Sequence, residues 1–594
     1  MSLTCTLPSI NLPESGSNGS FPGLLATWAL DSNIPQKSLT SLLKLLKSHP
    51  CHADLPSDAR TLLSTPRATG SSSGISPMPP GHYCHFGIAS GLQHILRHTS
   101  LLPKSLALSI NVDGLPLASS SRMQLWPIQC LVKNCGQLSP FVVGAFAGPS
   151  KPKSANDFLR PFVDELQVLL NAGVCIKGNT VAVHIESIIC DAPARSFIFM
   201  IKGHGGYSGC PKCTVEGEYH DKVFFPVVPE TLRTDQSFRS QSDYDHHHGT
   251  SILTELPMDC IQCAPLDPMH LVFLGVARKL VNLWFGGPLS VRLGPSDRRE
   301  ISTKNLAMAS YIPAEFARKP RSFDEKDRWK ATEYRLLLLY TGPVVLESCL
   351  PDEAYKNFLT LHGAVAILTH PVLCEVHSDY AESLLSHFVK SFARLYGSDQ
   401  VSYNVHCLLH LAAGARVHEP LDSFSAFPFE NYMQAIKKML RKPEFPLHQL
   451  YNRMMEAQNC TGPSSEQPLS SFEFSGEHVK GALPVECKPP QYSRLNFPTF
   501  SLSLKCGDNC CLVDEDIVLI ENFAFLKSSN TPCIIGKVYR SKASLYTSPF
   551  DSLCIGIAVV SDLSTLKCWP ITNVKKLVRM PYHEKYITMP LIHL

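Results

Sequence analysis

Residues 105–204 constrain the fold of this chain more than any other stretch. Three apolar runs of strand length, SLALSINV, QLWPIQCLV and PFVVGAFAG, precede the helix-like segment ANDFLRPFVDELQVLLNAG and a fourth apolar run, VAVHIESIIC. Short runs rich in Val and Ile that alternate with one long helical segment are typical of an α/β sheet. The first run ends on Asp113 and the fourth on Asp191. We therefore expect the two carboxylates to lie at adjacent strand ends.

Such a pair of aspartates is typical of a metal site. Two ionised carboxylates about 4 Å apart repel each other by roughly 4 kcal/mol at an effective dielectric constant near 20. A divalent cation between them removes this cost, and Mg²⁺ or Mn²⁺ prefers such oxygen ligands. The arrangement is that of a ribonuclease H-like nuclease core. Both residues have a structural alternative, because Asp113 precedes a glycine in a turn and Asp191 precedes a helix that it can cap.

A third carboxylate has to come from the helical part of the chain, and Glu430 is our candidate. It lies at the start of the segment FENYMQAIKKMLRK, and Lys437 and Arg441 follow on the same helical face. A basic stripe beside a metal ligand fits the backbone of DNA. The alternative is an ordinary amphipathic helix whose glutamate favours the N-terminal end of the helix dipole.

Cysteine and histidine residues predict a second metal site. Cys210 and Cys213 have the spacing of a zinc knuckle. Candidates for the remaining ligands are His270 and the histidine cluster at 246–248, of which we choose His247. Cys260 and Cys263 form a second pair with the same spacing, and the alternative for all these thiols is a loose turn. His406 and His410 lie four residues apart, and we interpret them as packing residues or phosphate contacts.

The composition excludes several classes of protein. The 594 residues are 44% hydrophobic and 18% charged, which indicates two to four globular domains. The net charge of +3 restricts any DNA surface to local patches such as Arg318, Lys319 and Arg321, although nearby acids also fit a solvated face. The first residues lack the features of a secretory signal, and no apolar run has the length of a membrane span. We expect a nuclear or cytoplasmic protein with 22 reduced or metal-bound cysteines.

The pattern along the chain predicts seven regions. They are an N-terminal helical and linker region (1–80), the first part of the α/β core (81–204), an irregular Cys- and His-containing segment (205–267), a helical insertion (268–425), a helix that completes the core (426–460), a linker (461–494) and a small β-rich domain (495–594).

Several separate blocks carry a family resemblance. NVDGLPLASSSRMQLWPI, DAPARSFIFMIKGHGGYSGCPKCTVEGEY, PLDPMHLVFLGVARKL, RKPRSFDEKDRWKATEYRLLLLYTGPVVL and FSAFPFENYMQAIKK resemble the catalytic domain of CACTA/EnSpm-type DNA transposases of the DDE class. The resemblance covers about two-thirds of the chain. It implies a ribonuclease H-like core that a large helical insertion interrupts before the last acid. It also implies that Asp113, Asp191 and Glu430 hold two catalytic Mg²⁺ or Mn²⁺ ions.

The resemblance further implies a structural zinc and a role in DNA cleavage and joining. The Cys210/Cys213 pair with the Asp267-x-x-His270 motif is similar to a Cys-and-His signature of that family. The expected partners are double-stranded DNA, as transposon ends and as target, and further copies of the chain. The main alternative is a catalytically inactive, transposon-derived protein that binds DNA or chromatin. A weaker alternative is a nuclease of the same fold that cleaves RNA–DNA hybrids.

Overall fold

The computed structural model describes residues 20–66, 74–118, 121–136, 138–459 and 472–593. Its first part is a small helical cluster around buried leucines such as Leu39 and Leu43. The helices are α1 (Phe21–Asp31), α2 (Gln36–Lys47) and α3 (Ala59–Leu62).

A mixed sheet forms the centre of the N-terminal half. Its strands are β1 (Ile75–Met78), β2 (Gly81–His85), β3 (Ser105–Val112), β4 (Leu115–Pro116), β5 (Gln124–Val132), β6 (Phe141–Gly148), β7 (Val174–Ile176) and β8 (Asn179–Ile189). The order is β1-β2-β6-β5-β3-β8-β7, and β4 pairs with β5. Strands β3 and β8 are parallel, whereas β5 and β6 run antiparallel to their neighbours.

The central strands are buried on both faces, which explains why their sequences are almost continuously apolar. One face packs against α4 (Ile88–Ile95), α5 (Ala155–Ala172) and α6 (Ala192–Phe199). Phe158, Phe162 and Leu166 of α5 are fully buried in this layer. The predicted strand, helix and strand pattern of residues 105–204 therefore corresponds to one sheet and its covering helices.

Residues 205–425 follow the sheet and are mainly helical after residue 268. The elements are β9 (Glu218–His220), β10 (Lys222–Phe224), α7 (Asp235–Arg239), the π-helix Met269–Ala277 that continues into α8 (Arg278–Gly286), α9 (Pro295–Ala307), α10 (Ala331–Leu336), the π-helix Leu337–Thr341, α11 (Gly342–Val345), α12 (Asp352–Thr369), α13 (Pro371–Tyr396), α14 (Tyr403–Cys407) and α15 (Leu411–His418). Short 3₁₀ turns connect them, for example Leu408–His410. The long apolar faces of α12 and α13 pack together in the largest core of the molecule.

Two helices return to the sheet and cover its second face. They are α16 (Phe427–Met439) and α17 (Pro446–Asn459). Met433, Ile436 and Leu450 pack against Val142 and Leu125 of the sheet. The buried carboxylate of Glu456 in α17 accepts a hydrogen bond from Gln36 of α2, so the N-terminal helices dock on this layer.

The C-terminal part is β-rich and barrel-like. Its strands are β11 (Glu473–His478), β12 (Cys487–Asn496), β13 (Ser501–Ser503), β14 (Cys510–Val513), β15 (Asp516–Leu526), β16 (Pro532–Ser544), β17 (Ala558–Leu563), β18 (Lys567–Pro570), β19 (Lys575–Tyr582) and β20 (Lys585–Pro590). The pairing of β15 with β16 closes the ring β15-β14-β19-β20-β17-β16. The buried ammonium of Lys576 bonds Glu315 and Asp508, which fixes the barrel to the helical region.

The mixed α/β class with a β-rich C-terminal domain is thus confirmed, whereas two expected boundaries need correction. Strand β1 belongs to the sheet although it falls in the expected linker region 1–80. Strands β11 and β12 lie partly or wholly within the expected linker 461–494, because their Phe474 and Leu495 pack in the barrel core. Residues 461–471 of that linker lie outside the described residues. No helix in the described part of the chain has the length and apolarity needed to cross a membrane.

Candidate metal centres

Asp113 and Asp191 lie at the same edge of the central sheet. Parallel strands β3 and β8 pair with Asn111 opposite Ile189, and each aspartate follows two residues later. The Asp191 carboxylate accepts a hydrogen bond of 2.7 Å from the Ala194 amide at the start of α6. The expected capping role of Asp191 and its place at the sheet edge therefore coexist.

Glu430 reaches this edge from the first turn of α16, and His270 reaches it from the π-helix. One ligand atom each of Asp113, His270 and Glu430 lie within 4.8 Å of one another, and all three side chains are half-buried. We define these three residues with the neighbouring Asp191 as the acidic site. Its members come from four elements that are widely separated in the chain.

The buried carboxylate of Asp267 holds the two arriving helices together. Its Oδ1 accepts hydrogen bonds from the amides of Met269 (3.1 Å) and Ala426 (2.8 Å). Its Oδ2 accepts bonds from the amide of His270 (3.0 Å) and from Nδ1 of its ring (2.5 Å). Ala426 immediately precedes α16, so one side chain sets the positions of both His270 and Glu430.

The charges at the acidic site are strongly perturbed. Burial, the Asp191 charge and the charge and hydrogen bond of Glu430 raise the pKa of Asp113 to about 8, although His270 opposes the shift. Burial disfavours the charged His270 ring, but Asp267, Asp191 and Asp113 outweigh it and raise its pKa to about 9. The site thus concentrates negative charge that only a proton or a cation can neutralise.

A second cluster consists of Cys210, Cys213, His406 and His410, which we call the Cys2His2 site. All four side chains are buried, and their ligand atoms lie within 4.8 Å of one another. The two Sγ atoms are 3.6 Å apart. Nε2 of His410 lies 3.5 Å from Sγ of Cys210, and Nε2 of His406 lies 3.2 Å from Sγ of Cys213.

These distances fit a tetrahedral zinc ion. Zn–S bonds of about 2.3 Å and Zn–N bonds of about 2.0 Å give tetrahedral edges of roughly 3.8 Å between sulfurs and 3.5 Å between sulfur and nitrogen. Burial disfavours the Cys210 thiolate, but hydrogen bonds from Cys213, Cys407 and the two histidines lower its pKa well below the usual value. The group can therefore bind a metal such as zinc.

The expected set of zinc ligands needs correction at two positions. The His247 ring packs against Phe238 and His246 instead of facing the two cysteines. His270 belongs to the acidic site. Their places are taken by His406 and His410, for which the sequence suggests packing or phosphate contacts. A signal is present, because C-x₂-C with H-x₃-H is a zinc-ligand spacing, but almost 200 residues separate the two halves.

The second cysteine pair does not join a metal cluster among the described residues. Cys260 is buried in the apolar layer beneath the sheet, and Cys263 packs against the same layer. Burial raises the pKa of Cys260 to about 12, which favours the neutral thiol. The alternative interpretation of this pair as ordinary thiols therefore fits the structure.

The expected DNA-binding residues differ in their availability. Arg321 donates to both carboxylate oxygens of Glu333 and to Glu325, and the Lys319 ammonium donates to the Pro313 carbonyl. The expected cluster at 318–321 is therefore reduced to the exposed Arg318, because internal acceptors engage the other two groups.

Of the two DNA contacts predicted after Glu430, Lys437 and Arg441, only Lys437 lies beside the acidic site. The exposed Lys437 donates to the carbonyl of Pro116, three residues after Asp113. The Arg441 guanidinium instead donates to Asn33 and to the carbonyl of Ile34, which ties α16 to the N-terminal helices. Arg441 therefore has a structural role, and its expected contact with DNA stays a prediction.

Comparisons with known proteins identify one domain. A family model described as a domain of unknown function, DUF8592, matches residues 477–591, which correspond to the barrel-like domain. No curated protein matches the sequence.

Proposed function

We propose that this chain is a DDE-type DNA transposase, or a protein derived from one, with a ribonuclease H-like core. The convergence of Asp113, His270 and Glu430 beside Asp191 carries the proposal. The sheet order, in which three antiparallel strands precede a parallel fourth, supports the proposed fold. The resemblance to CACTA/EnSpm-type transposases supports the choice of DNA over other phosphodiesters.

The acidic site has the residues that phosphodiester chemistry requires. Asp113, Asp191 and Glu430 would hold Mg²⁺ or Mn²⁺, which supplies an activated water or 3′-hydroxyl and neutralises the leaving oxygen when bound. His270, held by Asp267, contributes a positive charge or a ring nitrogen at the same place. The exposed Lys437 lies near enough to Asp113 to contact a phosphate of the DNA backbone.

Zinc would have a structural role at the Cys2His2 site. Four buried protein ligands leave no open position for a substrate, which is the arrangement of structural zinc sites. The metal would join the segment around Cys210, which follows the sheet, to the helical insertion at His406. It would thus hold the insertion against that segment. Further copies of the chain and a nuclear location remain part of the proposal, as expected for an enzyme that joins DNA ends.

Strand cleavage tests the enzymatic proposal. Purified protein is incubated with duplexes that carry candidate terminal repeats, with Mg²⁺, with Mn²⁺ or without a divalent cation. We expect metal-dependent nicks and joining of the new 3′-hydroxyl to a target plasmid. Asp113→Asn should reduce cleavage at least 100-fold, as typical for loss of a catalytic electrostatic group, while Asp259→Asn, which removes a carboxylate outside the acidic site, should not. Cleavage by Asp113→Asn at the wild-type rate would refute the assignment.

A catalytically inactive protein that binds DNA or chromatin is the second candidate. The observation that favours it is partial internal neutralisation, since the raised pKa values of Asp113 and His270 let protons offset part of the negative charge of the acidic site without a metal. DNA binding without Mn²⁺ binding at the acidic site would favour this second candidate.

A further inference from the structure

Positively charged side chains line a cleft beside the acidic site. The cleft has a volume of about 420 Å³ and is lined by Arg278, Lys279, Gln400 and Asn404, among others. Asn404 also lines the small cavity that contains Asp191 and His270. The cleft and this small cavity therefore lie on two sides of the same Asn404 side chain.

Among the residues that the structure describes, no carboxylate forms an ion pair with Arg278, Lys279 or the nearby Lys222. Lys279 and Lys222 both donate to the same oxygen, Oε1 of Gln400, at 3.4 Å and 2.9 Å. Gln400 in turn donates to Asp399, whose charge attracts Lys279. Within the described part of the chain, no hydrogen bond or ion pair engages the exposed guanidinium of Arg278. Two ammonium groups thus share one neutral acceptor, and the guanidinium of Arg278 lines the same cleft.

The local packing keeps the cleft open and polar. A Cβ atom at Gly275 would lie 2.7 Å from Nδ2 of Asn404, so only glycine lets this amide pack against the helix. Burial and the charge of Lys222 lower the pKa of Lys279 to about 8, a cost that a bound anion would offset. Amide groups and cations at one concave surface are typical of sites that bind phosphate.

We propose that this cleft binds a backbone phosphate of the DNA strand that lies in the acidic site, an inference that rests on the proposed function. His270 and Arg278 belong to one continuous helix and are eight residues apart, which corresponds to on the order of 10 Å along the helix axis. At about 3.4 Å per nucleotide, a strand covers this distance in roughly three nucleotides. The cleft would therefore hold the strand a few nucleotides from the reacting phosphodiester.

Strand binding without a divalent cation tests this assignment apart from cleavage. Fluorescence anisotropy with a labelled single-stranded oligonucleotide compares the full-length wild type with Arg278→Ala/Lys279→Ala. We expect affinity to fall about tenfold or more and the salt dependence of log K to decrease by about 0.7 for each phosphate that the variant no longer neutralises. The matched control Arg299→Ala/Lys390→Ala removes the same charges from exposed helical positions and should bind like the wild type.

Three further measurements make the outcome decisive. Arg278→Lys/Lys279→Arg keeps both charges and should retain strand binding. Lys222→Ala changes one exposed strand residue and should weaken strand binding about threefold. This variant provides the test if the double alanine variant folds poorly. Unchanged affinity in the cleft variants, or equal losses in both double variants, would overturn the proposal. A third measurement uses a mononucleotide as the ligand. If it stabilises the wild type but not the cleft variant, and if both proteins bind the strand equally well, the cleft binds a free nucleotide and the proposal is overturned.

The same data separate this proposal from the enzymatic one. Loss of strand binding in the cleft variants together with no cleavage by the wild type would support the cleft and contradict the nuclease. Asp113-dependent cleavage together with wild-type binding by the cleft variants would contradict the cleft and support the nuclease.

Discussion

The acidic site and the Cys2His2 site are assembled in the same way but differ in burial and charge. Both bring together side chains that are distant in the chain, and both can hold a metal. The Cys2His2 site is closed, because its four potential ligands are all buried. The acidic site is half-buried and holds more negative charge than its own cation neutralises. The comparison shows how burial and ligand chemistry distinguish a closed site, which suits a structural metal, from an open site, which the proposed chemistry requires.

The largest expected effect is on stability, at the Cys2His2 site. Cys213→Ser should abolish stoichiometric zinc binding and lower the free energy of unfolding by more than about 3 kcal/mol, because metal binding is coupled to folding. Metal analysis and thermal unfolding measure the two effects. Cys260→Ser removes the same atom from another buried site and should retain the zinc. A stable, zinc-free Cys213→Ser protein would show that this site is not a structural centre.

Asp267→Asn should have the next largest effect, at the support of the acidic site. The amide cannot accept all four hydrogen bonds that the carboxylate accepts, and lost bonds to a charged group cost about 2–3 kcal/mol. We expect lower thermal stability and at least tenfold weaker Mn²⁺ binding. Asp259→Asn, which changes a carboxylate that only caps a local turn, is the matched control. Equal effects of the two substitutions would argue against a positioning role for Asp267.

Glu430→Gln should stabilise the metal-free protein, whereas the loss of a zinc ligand should destabilise the protein. The substitution removes a charge that opposes ionisation of Asp113, so the metal-free protein should gain about 1 kcal/mol. Mn²⁺ affinity should fall at the same time, which isothermal titration measures. Destabilisation with unchanged Mn²⁺ affinity would mean that Glu430 is an ordinary structural residue.

The pH dependence of the acidic site is expected to give the most gradual effect, because it is spread over about four pH units. The pKa of Asp113 is about 8 in the folded protein and near 4 in the unfolded chain. The folded state therefore binds more protons between these values, and the free energy of unfolding falls as pH rises from about 4 to about 8. Chemical unfolding of the wild type and Asp113→Asn should show this difference, at under about 1 kcal/mol per pH unit. Saturating Mg²⁺ should reduce it, and identical pH profiles would contradict the shift.

The sequence predicts the local elements of the fold better than their long-range contacts. The apolar runs that end on Asp113 and Asp191 correspond to parallel strands because periodicity and composition act locally. Local sequence patterns do not predict that His406 and His410 are metal ligands, because their partners Cys210 and Cys213 lie almost 200 residues away. Strand β11 falls in an expected linker since its half-exposed residues show weak alternation. Arg321 has the sequence context of a free cation because its partner Glu333 lies in a different element.

Electron paramagnetic resonance of bound Mn²⁺ tests the central claim most directly, because it counts ions at the acidic site without knowledge of the DNA sequence. We predict that the zinc-loaded wild type binds Mn²⁺ stoichiometrically and that Asp113→Asn and Glu430→Gln bind it at least tenfold more weakly. Wild-type protein that binds no Mn²⁺, or variants that bind it equally well, would contradict a catalytic metal centre formed by these acids.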